Sequence, residues 1–256
     1  MYLWKSWHDS RQRLAVYAGA CLAIGIIVGL ENIYWFRAMW GWRAIATHLQ
    51  HYHWNRNLIY VRPANLYYQF MPLVGLWSAL VFGAISVGRE YGSGAMSFVL
   101  TRPQSRWLVV WYQWALALAE IFIILGAFFI GALPFLVYFS KYYVGFDATL
   151  IPGVLVVAAC LCGLTQFLTL LTGSSMKGMS ASVAVALFYY FLPSALDVWW
   201  HIHWPEKVQD LSLSVLGMYM PWNRSRLPIV EVTAIWMLVA LIFPFLSQWL
   251  IEKREI

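Results

Sequence analysis

The chain has 256 residues, 62% of them hydrophobic and 11% charged, with a net charge of +6. A water-soluble domain of this size could not hide so much apolar surface, so the composition excludes a soluble enzyme and points to a bilayer. The basic excess is spread over loops and ends, a pattern that suits membrane topology and anionic lipid rather than nucleic acid.

Six apolar runs occupy most of the chain: 14–30, 70–88, 108–133, 150–172, 179–200 and 228–251. A helix needs about 20 apolar residues to cross roughly 30 Å of hydrocarbon, and each run is that long or close to it. The runs are apolar on every side, whereas barrel strands alternate over about 10 residues. The expected fold class is all-α: a polytopic membrane protein forming a single transmembrane domain over 1–256. No stretch between the runs is long enough for an independent soluble domain.

In chain order, residues 2–13 place Leu3, Trp4 and Trp7 at helical spacing with Lys5, Arg11 and Arg13 elsewhere on the turn. They read either as an interfacial helix or as a basic flank of the first span. The run 14–30 ends in Leu30-Glu31 with no small-residue cleavage site after it, so a first span is expected rather than a signal peptide. It contains Gly25-Ile-Ile-Val-Gly29, a spacing that lets helix backbones approach closely, here for packing inside the bundle. The loop 31–69 is rich in Trp, Tyr, Arg and His, as expected of an interfacial or re-entrant segment.

Just after the third run, Pro134 is expected to break or kink the helix, whose apolar stretch continues to Phe139. Gly173 to Met179 reads as a tight turn between spans 4 and 5, and Pro193 and Pro244 lie inside spans 5 and 6. With six spans both ends share one side, which collects nine of the basic residues, Lys5, Arg11, Arg13, Arg89, Arg102, Arg106, Lys177, Lys253 and Arg254. The opposite side collects the other eight, four of them (Arg37, Arg43, Arg56, Arg62) in the aromatic first loop. The basic flank of the first span then orients the chain with both ends in the cytoplasm.

The most specific local pattern is 88–107, GREYGSGAMSFVLTRPQSRW. Arg89 and Glu90 sit at the membrane exit of span 2. Gly92 and Gly94 allow a sharp turn. Residues 95–100 form one or two turns of a short helix, Pro103 ends it, and Arg106 anchors the start of span 3. Such a helix is a handle that a soluble partner can push.

Glu90, the glycine turn, the apolar segment Met96 to Leu100 and the exit Thr101-Arg102-Pro103-Gln104-Ser105-Arg106 resemble the permease subunits of type-2 ATP-binding cassette exporters. Within that family the chain also looks like the subgroup named for multicopper-enzyme maturation. The resemblance covers the whole chain by topology and about 20 residues by motif; Gln113 stands near the place where the family commonly has a lysine. It implies an N-terminal amphipathic helix, six spans with both ends inside, and a coupling helix that contacts the ATPase through Arg89, Glu90, Tyr91, Gly92, Gly94, Met96, Phe98, Arg102 and Arg106. It also implies a multi-pass protein of the cell's inner (cytoplasmic) membrane, a second permease copy forming a homodimer, and two copies of a separate ATP-binding subunit. No phosphate loop of the Gly-x-x-x-x-Gly-Lys-Ser/Thr type occurs, so no cofactor is expected in this chain, and ATP and Mg belong to the partner. The chain is therefore expected not to be an enzyme by itself.

Other polar residues invite roles. Glu120 is the one acidic residue well inside an apolar run, where a charge faces a cavity or a partner, and Gln166 of span 4 is the candidate to reach it. His48, His51 and His53 precede span 2, and His201 and His203 follow span 5. His51, His53, His201 and His203 would supply imidazoles to copper or zinc, which frames the alternative of a metal-handling membrane protein or enzyme. A further alternative is a mechanical subunit of the same family that moves no substrate. Cys21, Cys160 and Cys162 all lie in apolar runs and are expected to form no disulfide. Asn223-Arg-Ser225 matches a glycosylation sequon but reads as incidental in a compact permease.

Overall fold

The computed structural model describes His8, residues 10–31, Tyr34, and residues 70–86, 106–140, 150–200 and 229–253. These form six helices: α1 (Ser10–Glu31), α2 (Phe70–Ser86), α3 (Arg106–Ser140), α4 (Leu150–Thr172), α5 (Ser175–Trp200) and α6 (Ile229–Lys253). No strand occurs among the described residues. All six coincide with the apolar runs, because a chain in lipid must satisfy every backbone N–H and C=O internally, and a helix does so within one segment. Segments of α1, α3, α4 and α6 are long and apolar enough to cross a membrane, and the apolar parts of α2 and α5 are shorter.

Three boundaries differ from the sequence reading. The helix α1 already includes residues 10–13, so Arg11 and Arg13 sit on the first turns of the spanning helix itself. The helix α3 does not break at Pro134 but runs on to Ser140. Pro134 is exposed, and so is Ile130, whose carbonyl loses its hydrogen bond to the missing N–H; the defect lies on the outer face and costs no packing. The turn after α4 is only Gly173 and Ser174, and α5 starts at Ser175 rather than near Met179. Gly173 has φ 66° and its N–H donates to the Thr169 carbonyl at 2.9 Å, closing α4 with a left-handed cap that any side chain would strain.

The chain divides into two compact units. The first comprises 1–74 and 123–148. In it α1 crosses the later half of α3 at two glycines. A Cβ on Gly25 would strike the Phe128 carbonyl, and one on Gly131 would strike the Leu22 carbonyl. The helices touch backbone to backbone, which is how packing proceeds where lipid removes the hydrophobic drive.

The second unit comprises 75–122 and 149–256. Its centre is α4, buried on most of its surface and packed against α5 and α6. The start of α3 runs antiparallel to α4, since Val110 meets Gln166 and Leu170 while Trp114 and Leu118 meet Ala159 and Cys160. By contrast α6 runs parallel to α4. Cys160 donates to the Trp236 carbonyl at 3.1 Å, Gly163 faces Ala240 and Phe243, and Leu170 packs with Ile251. The C-terminal part of α2 meets α4 where Gly83 lies against the Cys162 carbonyl.

Candidate intramembrane polar layer and basic end

The second unit buries polar side chains that an apolar bundle would exclude. Glu120 is 5% exposed, Gln113 3%, and Thr165, Gln166, Thr169, Ser182 and Ser247 are all fully buried. On α3, Gln113 and Glu120 are seven residues apart, so both lie on the stripe that carries Val110, Ala117 and Ile121. On α4, Thr165, Gln166 and Thr169 fill one turn.

Short hydroxyl side chains settle their own needs locally. Thr165 Oγ1 donates to the Leu161 carbonyl at 2.7 Å, and Ser182 Oγ to the Gly178 carbonyl at 2.8 Å. These bonds hide a hydroxyl at no cost to neighbouring helices. Gln166 behaves differently: its Nε2 donates across to the Val110 carbonyl of α3 at 3.3 Å, and its Oε1 is buried without a hydrogen-bond partner. Thr169 Oγ1 and Ser247 Oγ are likewise buried without one. Such atoms cost about 1–3 kcal/mol each.

Glu120 and Gln166 thus both belong to the interior of one unit, as their sequence positions suggested. The Gln166 amide donates to Val110 rather than to Glu120, while the Glu120 carboxyl lies within electrostatic reach of the Cys162 thiol. The sequence reading passed over Thr165, Thr169, Ser182 and Ser247. Their signal was present as hydroxyls at helical spacing inside apolar runs, but the same residues on a lipid face look identical in sequence.

Among the described residues, the Lys and Arg of this unit collect at one end, with Glu252 beside them. Arg106 precedes Val110 by one turn, Lys177 follows the Gly173 cap, and Lys253 follows Ile251; Val110, Leu170 and Ile251 form one cluster. These are the three Lys and Arg residues among the described residues of the unit. Asp197 and Glu231 stand at the opposite ends of α5 and α6. Lys253 Nζ sits 4.4 Å from the Trp249 ring centroid, an interfacial aromatic and cation pairing.

Of the coupling residues, Arg106 opens α3; Arg89, Glu90, Tyr91, Gly92, Gly94, Met96, Phe98 and Arg102 lie outside the described residues, as do His51, His53, His201 and His203. Among the described residues no three His, Cys, Asp or Glu side chains come together as a metal site, and Cys21, Cys160 and Cys162 are free thiols. No known protein-family model, no curated protein and no solved structure matches the chain.

Proposed function

We propose that the chain is the membrane-spanning permease subunit of an ATP-binding cassette exporter, driven by a separate ATPase subunit that docks at its basic end. The observation that carries this reading is the parallel course of α4 and α6. Two parallel neighbours need a return crossing between them. Helix α5, joined to α4 by a two-residue turn, has 26 residues and spans about 39 Å, enough to make that return. The reading extends the same alternation along the chain to six crossings with both ends on one side.

The cytoplasmic assignment rests on the basic flank of the first span, Arg11 and Arg13, and takes Arg106, Lys177 and Lys253 to the same side. Arg106, the last residue of the proposed coupling segment, opens α3 at the basic end, and the reading takes the Glu90 region to face the same side. The polar interior around Gln113, Glu120 and Gln166 supplies the hydrogen-bonding groups that a transported solute requires. Within this reading, two permease copies pair with two ATPase subunits in the cell membrane, and nucleotide-driven movement of the 89–106 handle shifts the helices as rigid bodies.

The test is co-purification from the source cell in mild detergent. Recovery of a stoichiometric ATP-binding subunit supports the reading. A chain that purifies alone and binds no ATPase overturns it.

A further inference from the structure

The middle of α6 combines three features that no requirement of simple packing explains. Pro244 is buried inside the helix, so the Ala240 carbonyl one turn earlier has no N–H from residue 244 to accept. Opposite it stands Gly163 of α4. A Cβ at Gly163 would lie 2.9 Å from Phe243 Cβ, 3.5 Å from the Ala240 oxygen and 3.3 Å from Trp114 Nε1. The missing side chain therefore leaves a notch that the proline turn of α6 occupies. Trp114 Nε1, on α3, is buried there without a hydrogen-bond partner.

A buried donor without an acceptor and a carbonyl deprived of its helical donor thus border the same notch. Both groups are costly as they stand, and each is the natural complement of the other. We propose that Pro244 makes α6 a two-position hinge, with Gly163 as its bearing and the Trp114 indole N–H as the group that captures the Ala240 carbonyl in the second position. The half of α6 before the hinge is held to α4 by the hydrogen bond from Cys160 to the Trp236 carbonyl, whereas 245–253 meets Val110 and Leu170 through the apolar side chain of Ile251, a contact that can slip without breaking a hydrogen bond; the moving half is therefore 245–253. The edge-to-face contact of Trp111 with Phe245, at 5.0 Å between centroids, lies just beyond the pivot and moves with that half. The hinge is a property of the bundle and does not rest on the transport reading.

The experiment uses the full chain in lipid nanodiscs, with Cys21→Ser to leave the buried thiols alone. Two pairs of spin labels are placed on exposed positions: Met176→Cys with Leu246→Cys for the distal half, and Phe188→Cys with Leu238→Cys for the proximal half. The distal pair is expected to give two distances and the proximal pair one. Pro244→Ala restores the N–H and is expected to collapse the distal pair to a single distance. Trp114→Phe keeps the ring and removes the donor, and is expected to shift the ratio of the two distal populations about fivefold, the worth of one net hydrogen bond. A single distal distance in the unsubstituted protein, or two whose ratio neither substitution moves, overturns the hinge.

Discussion

Gln166 of α4 donates to a carbonyl of α3, that of Val110, which already serves as the helical acceptor one turn before Trp114. Removing the amide therefore orphans no backbone group, while it also removes a buried Oε1 that has no partner. Under the proposed transport reading, the amide serves a solute rather than the contact between the helices. Gln166→Leu is expected to leave thermal stability within about 1 kcal/mol of the parent. If the proposed complex with an ATPase subunit forms, its ATPase rate is expected to fall severalfold. A large loss of stability with normal activity in the folded fraction would return Gln166 to a structural role.

Glu120 is the stronger test of the polar interior. Glu120→Gln preserves shape and hydrogen bonding and is expected to fold within about 1 kcal/mol of the parent. Glu120→Lys places a cation among Ala117, Ile121 and Ile124 and is expected to cost on the order of 3 kcal/mol of insertion free energy, read as lost membrane-integrated protein. If the two substitutions give equal yields in the membrane fraction, the side chain is not held in the interior.

Helix α1 offers an internal control for close packing. Gly25→Leu and Gly131→Leu each drive a side chain into the facing backbone and are expected to destabilise by about 1–3 kcal/mol, seen as a lowered thermal midpoint. At Gly19 nothing lies within 4 Å, so Gly19→Leu is expected to change stability by no more than about 0.5 kcal/mol. Equal effects at Gly19 and Gly25 would contradict the crossing.

Topology can be read by labelling intact cells. Single cysteines replacing Gln12, Lys177 and Lys253, all exposed positions, are expected to resist a membrane-impermeant thiol reagent until the membrane is opened. Labelling of Lys177→Cys from outside would reverse the orientation and remove the docking face for a cytoplasmic motor.

Under the proposed permease reading, the charge at Glu90 serves coupling to the ATPase subunit rather than folding. Glu90→Ala should leave expression and the thermal midpoint unchanged and lower ATP-dependent transport severalfold, or dissociate the ATPase subunit on size exclusion. Wild-type activity and an intact complex would remove Glu90 from the interface.

Much of the architecture is legible in the sequence because lipid imposes one rule on every residue of a span. The boundaries of α4 agree at both ends with the apolar run 150–172, since a backbone in hydrocarbon must be helical wherever its side chains are apolar. Pro134 does not end α3, for a local reason. A proline in water signals the end of a helix, but on the outer face of α3 it removes one hydrogen bond and clashes with nothing packed. Gly25 announced a close contact, yet its counterpart Gly131 could not be found from spacing, because the pairing depends on which helix crosses α1 and at what height.

The polar residues divide the same way. Glu120 was conspicuous, since no other acid lies so deep in an apolar run. The unpartnered Oε1 of Gln166, the parallel course of α6 beside α4, and the meeting of Trp114, Gly163 and Ala240 arise only from tertiary packing. Hydropathy and helical period, which one residue and its sequence neighbours suffice to set, fixed what enters the membrane and in what conformation. Which polar atoms share an interior was decided by the register between helices, a sum of many small contacts between residues distant in the chain, and no single segment encodes it.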